Sequence, residues 1–202
     1  LFAEAAGPVE RAKAFIADFE KNVRPLDIAA AQADWAAQAS GKDEDYKACE
    51  AAINRVDAAY SDPAVFARLK AVREGLAKAD PKPDPILARQ IELLYLAYSA
   101  KQLDPELLNQ MAAKSTAITQ AFNVYRAEVK GEKLADSAVR KVLRESKDSA
   151  YRKAVWEASK NVGAVVEKDL KELVRLRNEA ARKLGYHDFY EMELFLEELD
   201  KK

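Results

Sequence analysis

Apolar residues in this chain recur at steps of three and four, and no run alternates with period two, which confines the backbone to helices. From Val9 the sequence sets Ala12, Ile16, Phe19, Val23, Leu26, Ala30, Ala33 and Ala37 along one stripe. A helix returns to the same face about every 3.6 residues, so this spacing buries one side of a helix and could not bury one side of a strand. Glycine is rare, at 6 of 202 residues, and β-branched residues do not cluster. The fold class expected is all-α, an elongated multi-helix bundle in a single domain over residues 1–202.

The first helix opens at Pro8, where a missing N–H costs nothing. Pro25 would cost about 3 kcal/mol inside a helix. The stripe keeps its register across it, so the spacing predicts one long kinked helix ending at Ser40-Gly41. A second helix is expected from Asp43 to Ala59, with Tyr46, Cys49, Ile53, Val56 and Tyr60 inward. Asp62-Pro63, Asp84-Pro85 and Asp104-Pro105 each pair an N-cap aspartate with a first-turn proline. The helix after the first pair turns Phe66, Leu69, Val72 and Leu76 inward, and the one after the second Leu87, Ile91, Leu94 and Tyr98. The third runs from Pro105 to Val129 with Leu108, Met111, Ser115, Ile118, Phe122 and Tyr125 inward, stopped by Gly131.

Asp80-Pro81-Lys82-Pro83-Asp84 reads as a stiff connector. A short helix follows over 136–144, capped by Asp136 or Ser137. The longest element is expected from Asp148 or Ser149 to Leu184, closed by Gly185 in a left-handed cap. It would be roughly 50 Å long, whereas a globule of this size is somewhat over roughly 40 Å across. That points to an elongated molecule or to one part of something larger. A last helix over 188–199 should turn Phe189, Met192, Phe195 and Leu199 inward.

The formal net charge is −1, with basic residues spread among acidic ones, so no footprint for nucleic acid is expected. No apolar run is long enough to cross a bilayer, and no membrane association is expected. Cys49 is the single cysteine and lies on an apolar helix face, which suits a small buried hydrophobe. Leu1-Phe2-Ala3-Glu4-Ala5-Ala6 is too short for a signal peptide but can follow one. A periplasmic or secreted parent and a cytoplasmic one both stay open.

The stretch Leu176-Arg177-Asn178-Glu179-Ala180-Ala181-Arg182-Lys183-Leu184-Gly185-Tyr186, followed by Asp188-Phe189-Tyr190, resembles a segment of the helical zinc peptidases related to angiotensin-converting enzyme (family M2), and more loosely the M3 oligopeptidases. Arg89-Gln90-Ile91-Glu92 with Gln102 is similar to a family helix, and Ser146, Asp148, Arg152, Trp156-Glu157-Ala158-Ser159-Lys160 and Val162-Gly163 are similar to the family segment leading into the Leu176-Arg177-Asn178 helix. The resemblance implies a helical peptidase with a deep cleft between lobes, acting on short peptides. It implies zinc held by two histidines of a His-Glu-x-x-His helix and a downstream glutamate, with the motif glutamate activating water. On that resemblance 1–80 would form a helical lid and 84–202 a helical body.

His187 is the only histidine and no His-Glu-x-x-His occurs, so no catalytic and no metal residue is assigned, and substrate-binding residues are left unassigned. The chain is expected to be the cleft-forming N-terminal part of such a peptidase, inactive alone and without a cofactor of its own, zinc belonging to the full-length parent. Its implied partners are a catalytic half, a peptide substrate and, through C-terminal helices that lack cover, a second copy. Phe189, Met192, Phe195 and Leu196 are the residues expected to lack cover. The rival reading is a non-catalytic helical interaction module.

Other residues attract bland readings. His187 beside Asp188 and Glu191 suits a loop or cap, and Arg177 and Asn178 suit ties between helices. Trp35 and Trp156 are expected in the core or in helix contacts rather than in a cleft. Glu197-Glu198 and Asp43-Glu44-Asp45 belong at helix ends, and Glu167, Lys168, Lys171 and Glu172 on a solvated face.

Overall fold

Each of the three Asp-Pro pairs starts a helix in the computed structural model, which describes residues 7–199. Asp62 accepts from the N–H groups of Ala64 and Val65, Asp84 from Ile86, and Asp104 from Glu106. Ten helices and one hairpin are described: α1 Pro8–Asn22, α2 Arg24–Ser40, α3 Asp43–Tyr60, α4 Pro63–Ala77, α5 Pro85–Ser99, α6 Pro105–Val124, β1 Ala127–Val129, β2 Glu132–Leu134, α7 Asp136–Glu145, α8 Ser149–Lys160, α9 Val162–Lys183 and α10 Phe189–Leu196. The stretch Leu1–Ala6, read above as able to follow a signal peptide, lies outside the described residues.

Three expectations need correction. The first helix is two helices meeting at Val23. Pro25 has no N–H to offer Lys21, so the ladder lapses and restarts where Leu26 donates to the carbonyl of Val23 at 2.8 Å. The longest element also divides, at Asn161. There the backbone stays helical, but Asn161 and Ala164 each donate three residues back, to Ala158 and Asn161, tightening the turn. The longest remaining helix, α9, has 22 residues and spans about 33 Å.

The third correction is the hairpin. α6 stops at Val124, and Ala127-Glu128-Val129 pairs antiparallel with Glu132-Lys133-Leu134. Lys130 (φ 53°) and Gly131 (φ 81°) form the tight turn between them. Two consecutive left-handed residues match the right-handed twist of the flanking strands. Gly131 therefore turns a hairpin rather than ending a helix, and Ala127, Val129 and Leu134 face inward. A smaller correction concerns α7, whose N-cap is Ala135, with no side-chain cap.

The main core joins Ala12, Phe15, Phe19 and Val23 of the first stripe to Leu69, Val72 and Leu76 of α4 and Leu87, Ile91 and Tyr98 of α5. Phe15 rather than its neighbour Ile16 takes the buried position. Full burial of each large side chain contributes about 1.5–3 kcal/mol. Ala37, Tyr46 and Cys49 close α2 on α3, and Leu107, Leu176 and Ala180 close α6 on α9. The hairpin, α7 and α8 share a separate core of Ala127, Val129, Leu134, Val139, Val155 and Ala158. This unit, residues 125–160, packs far more within itself than on the bundle. A phenol ties its two ends, Tyr125 Oη donating to the Ala158 carbonyl at 2.7 Å.

Gly185 (φ 92°) ends α9 as expected. Gly185 donates to Arg182 and Tyr186 to Ala181, satisfying the last carbonyls as the chain reverses into α10.

Candidate functional site

Asp57 is the one buried carboxylate among the described residues, 5% exposed on the inner side of α3. A charge in that position needs a partner. Lys101, in the turn after α5, supplies it at 2.7 Å. Beside this pair Gln102 donates to the carbonyls of Tyr60 (2.8 Å) and Tyr98 (3.0 Å), fastening the end of α3 to α5. Tyr60 in turn donates to Asp27 of α2 at 3.1 Å. Burial, and then the charge of Asp27, push the Tyr60 phenol well above its ordinary value, so it stays a neutral donor.

Two concavities meet at this cluster and share Ile53, Asp57, Ala100, Lys101 and Glu193. The smaller, about 250 Å³, reaches inward to Met111, Leu173, Arg177 and Met192. The larger is an open groove of about 640 Å³ between α2, α3, α5 and α10. Its floor is apolar: Ile53, Val56, Leu93, Leu96 and Leu196. Its rim carries Asp27, Glu193 and Glu197, and Lys101, the only cation among its described lining residues, is engaged by Asp57. Such a surface favours an apolar guest with positive charge at its edges. Among its described lining residues the only hydroxyl is the Tyr60 phenol, which donates to Asp27.

The sequence of the Peptidase M2 family, described as angiotensin-converting enzyme, matches residues 8–201. The chain belongs to this peptidase family. No curated protein matches it. The family-like segments now have visible local roles. Arg89 forms a two-pronged ion pair with Glu198, pinning the end of the described chain to α5, and this pair lowers the Glu198 carboxyl. Gln102 makes the tie just described. Ser146 accepts from the Asp148 N–H at 3.2 Å, and Asp148 caps α8 by accepting from Ala150 and Tyr151. Asn178 Oδ1 accepts from the Phe189 N–H at 2.9 Å and ties α9 to α10 as expected; Arg177 meets α10 through the Phe189 ring, its guanidinium 5.0 Å from the centroid, rather than through a hydrogen bond among those described.

His187 sits in the α9–α10 turn, its side chain 82% exposed and its Nδ1 2.9 Å from Asp188. Its backbone N–H donates to Glu191, whose own N–H donates to Asp188. This reciprocal arrangement is a capping device. Tested against zinc, the donor set fails: among the described residues no three His, Cys, Asp or Glu side chains gather as metal ligands. The described residues therefore offer no donor set for the ion that the family implies.

Cys49 is buried, its thiol pushed up by desolvation, as suits a structural cysteine. Asp43 and Asp45 sit in the first turn of α3, Asp43 held by Gln120 and Asp45 by Ser40. Lys171 pairs with Glu167 at 2.5 Å on the exposed side of α9. The tryptophans differ from expectation: Trp35 is 79% and Trp156 51% exposed, so neither belongs to a core. Of the four residues expected to lack cover only Phe195 is exposed: Met192 is buried, and Phe189 and Leu196 are half-buried; Leu199, expected inward, is exposed. Sequence reasoning passed over Asp57 and Lys101. The available signal was a carboxylate one turn beyond Ile53 on an otherwise apolar face.

Proposed function

We propose that this chain is the metal-free, cleft-forming helical part of an M2-type zinc peptidase acting on short peptides, and that the catalytic residues come from another polypeptide segment. The observation that carries the reading is a family match over residues 8–201 in a sequence with one histidine. The family's chemistry needs two imidazoles one helical turn apart, which this sequence lacks. The groove between α2, α3, α5 and α10 is the concave surface that the chain brings to a cleft. Apolar residues that a further segment would cover lie on the last two helices: Val165, Leu170 and Val174 of α9, and Tyr190 and Phe195 of α10. Zinc, when bound by the other segment, would supply Lewis-acid activation of water; the residues of this chain would bound the cleft and orient the peptide.

The test is reconstitution. The chain is mixed or co-expressed with a family polypeptide carrying His-Glu-x-x-His, and zinc content and cleavage of fluorogenic short peptides are measured. Zinc-dependent turnover only in the mixture is the expected result. Turnover or stoichiometric zinc with the chain alone overturns the reading. A mixture that neither associates nor cleaves favours the rival, a helical interaction module, for which the exposed Trp35 and Ile28 on one face of α2 speak.

A further inference from the structure

The formal charge is not spread evenly over the fold. Residues 125–160 hold ten Lys and Arg against six Asp and Glu, a net +4; the rest of the chain holds 23 against 28, a net −5. The basic unit is the one with its own core, and its outer surface is therefore unused by the bundle. On α8 it presents Trp156, half exposed, with Arg152 and Lys160 one turn before and after it on the same face. The Lys160 ammonium lies 5.7 Å from the indole centroid. Among the described residues neither Arg152 nor Lys160 has a carboxylate within ion-pair distance. An exposed indole flanked by two cations that no described carboxylate pairs is the complement of the groove, whose floor is apolar and whose rim carries Asp27, Glu193 and Glu197.

We propose that two copies of this chain associate by seating the Trp156 face of one in the acid-rimmed groove of the other. The indole fills the apolar floor, its N–H reaches a rim carboxylate, and Arg152 and Lys160 meet the remaining acidic groups. If each copy gives its indole and receives its partner's, the contact closes into a two-fold dimer. A second copy is favoured over nucleic acid or an anionic membrane because both complementary surfaces are on this chain, while a molecule of net −1 is not drawn to a polyanion. The association stands on these two surfaces alone and does not need the peptidase reading. If the groove does bound a peptide cleft, the dimer occupies it, and peptide and second copy compete.

Sedimentation velocity on the full chain tests the proposal. A dimer is expected at about 0.05 M salt, shifting toward monomer at about 0.5 M because facing charges are screened. Trp156→Ala should weaken association at least tenfold with helical content unchanged by circular dichroism. Charge reversal gives the sharper readout. One variant carries Glu193→Lys and Glu197→Lys, another Arg152→Glu and Lys160→Glu. Each should be monomeric alone, because like charges now face each other, and an equimolar mixture should restore a 1:1 dimer. A wild-type monomer at low salt overturns the proposal, as does a dimer untouched by either reversal, or a mixture that stays monomeric although both variants are folded. Binding of wild type to phosphatidylserine vesicles or duplex DNA without self-association also overturns it and assigns the basic face to those partners.

Discussion

Asp57 and Lys101 lie 2.7 Å apart, the carboxylate side chain 6% exposed and the ammonium side chain 37%. The asymmetry decides what each truncation does. Lys101→Met leaves a buried carboxylate without its cation, whereas Asp57→Asn leaves a lysine that can swing into water. Removing one partner of a fully buried pair costs about 3–5 kcal/mol. With one side this open, about 2–3 kcal/mol is expected for Lys101→Met and about 1 kcal/mol for Asp57→Asn. Urea unfolding at neutral pH measures both, and equal losses would show that the carboxylate is not the desolvated member.

The aspartate caps give an independent check on the helix starts. Asp62 accepts two backbone N–H groups, while Asp84 and Asp104 accept one each. Replacing a capping aspartate by alanine costs about 1 kcal/mol. Asp62→Ala should therefore lower the unfolding midpoint more than Asp84→Ala or Asp104→Ala. Asparagine at each position should recover most of the loss, since its side-chain oxygen can accept the same bonds.

These caps are also where the sequence was most legible. Asp-Pro pairs specify a helix start through local chemistry alone, so the starts of α4, α5 and α6 could be read without knowing any neighbour. Periodicity also located Leu69, Val72 and Leu76 of α4 and Leu87, Ile91 and Tyr98 of α5, but Phe66 and Leu94 are only half-buried and Leu96, off the stripe, is buried instead. What escaped were features decided by one or two residues against a helical background. The stripe across Pro25 kept its register, and Val23 remains helical in its backbone angles, so the pattern carried no mark of the break. Nor did it mark Asn161. The hairpin strands have three residues each, too short for alternation to stand out. The site was harder still, because Asp57 meets Lys101 across 44 positions of sequence, and no local rule pairs them.

Alkaline stability should be governed by Tyr60. Its phenol is raised above its ordinary value by burial and by Asp27, and Tyr98 is raised too, chiefly by burial. In the unfolded chain a tyrosine ionises near pH ~10. The folded state binds that proton more tightly, so this contribution to stability is fully present below about pH 10 and lost as pH rises above it. Thermal unfolding from pH 8 to 11 should show a melting temperature falling above about pH 10. Tyr60→Phe should flatten that fall. At pH 7 it should cost about 1 kcal/mol, because Asp27 loses the hydroxyl it accepts from. An alkaline limb as steep in the variant as in wild type would place the titrating group elsewhere.

The hairpin turn offers a test confined to the 125–160 unit. Lys130 and Gly131 both hold positive φ, which glycine adopts without cost and lysine does not. A Cβ built on Gly131 meets nothing within 4 Å, so Gly131→Ala carries a conformational cost and no clash. That cost is about 1 kcal/mol. Lys130→Asn, which tolerates the left-handed region and gives the Asn-Gly pair this turn prefers, should stabilise by about 0.5 kcal/mol. Since Val129, Leu134, Val139 and Val155 form a core separate from that of α1, α4 and α5, the effect should remain local. Hydrogen exchange should quicken in α7 and α8 of Gly131→Ala and slow in Lys130→Asn, while amides of α4 and α5 keep their protection. Loss of protection spread equally through both cores would show that the unit opens only with the bundle.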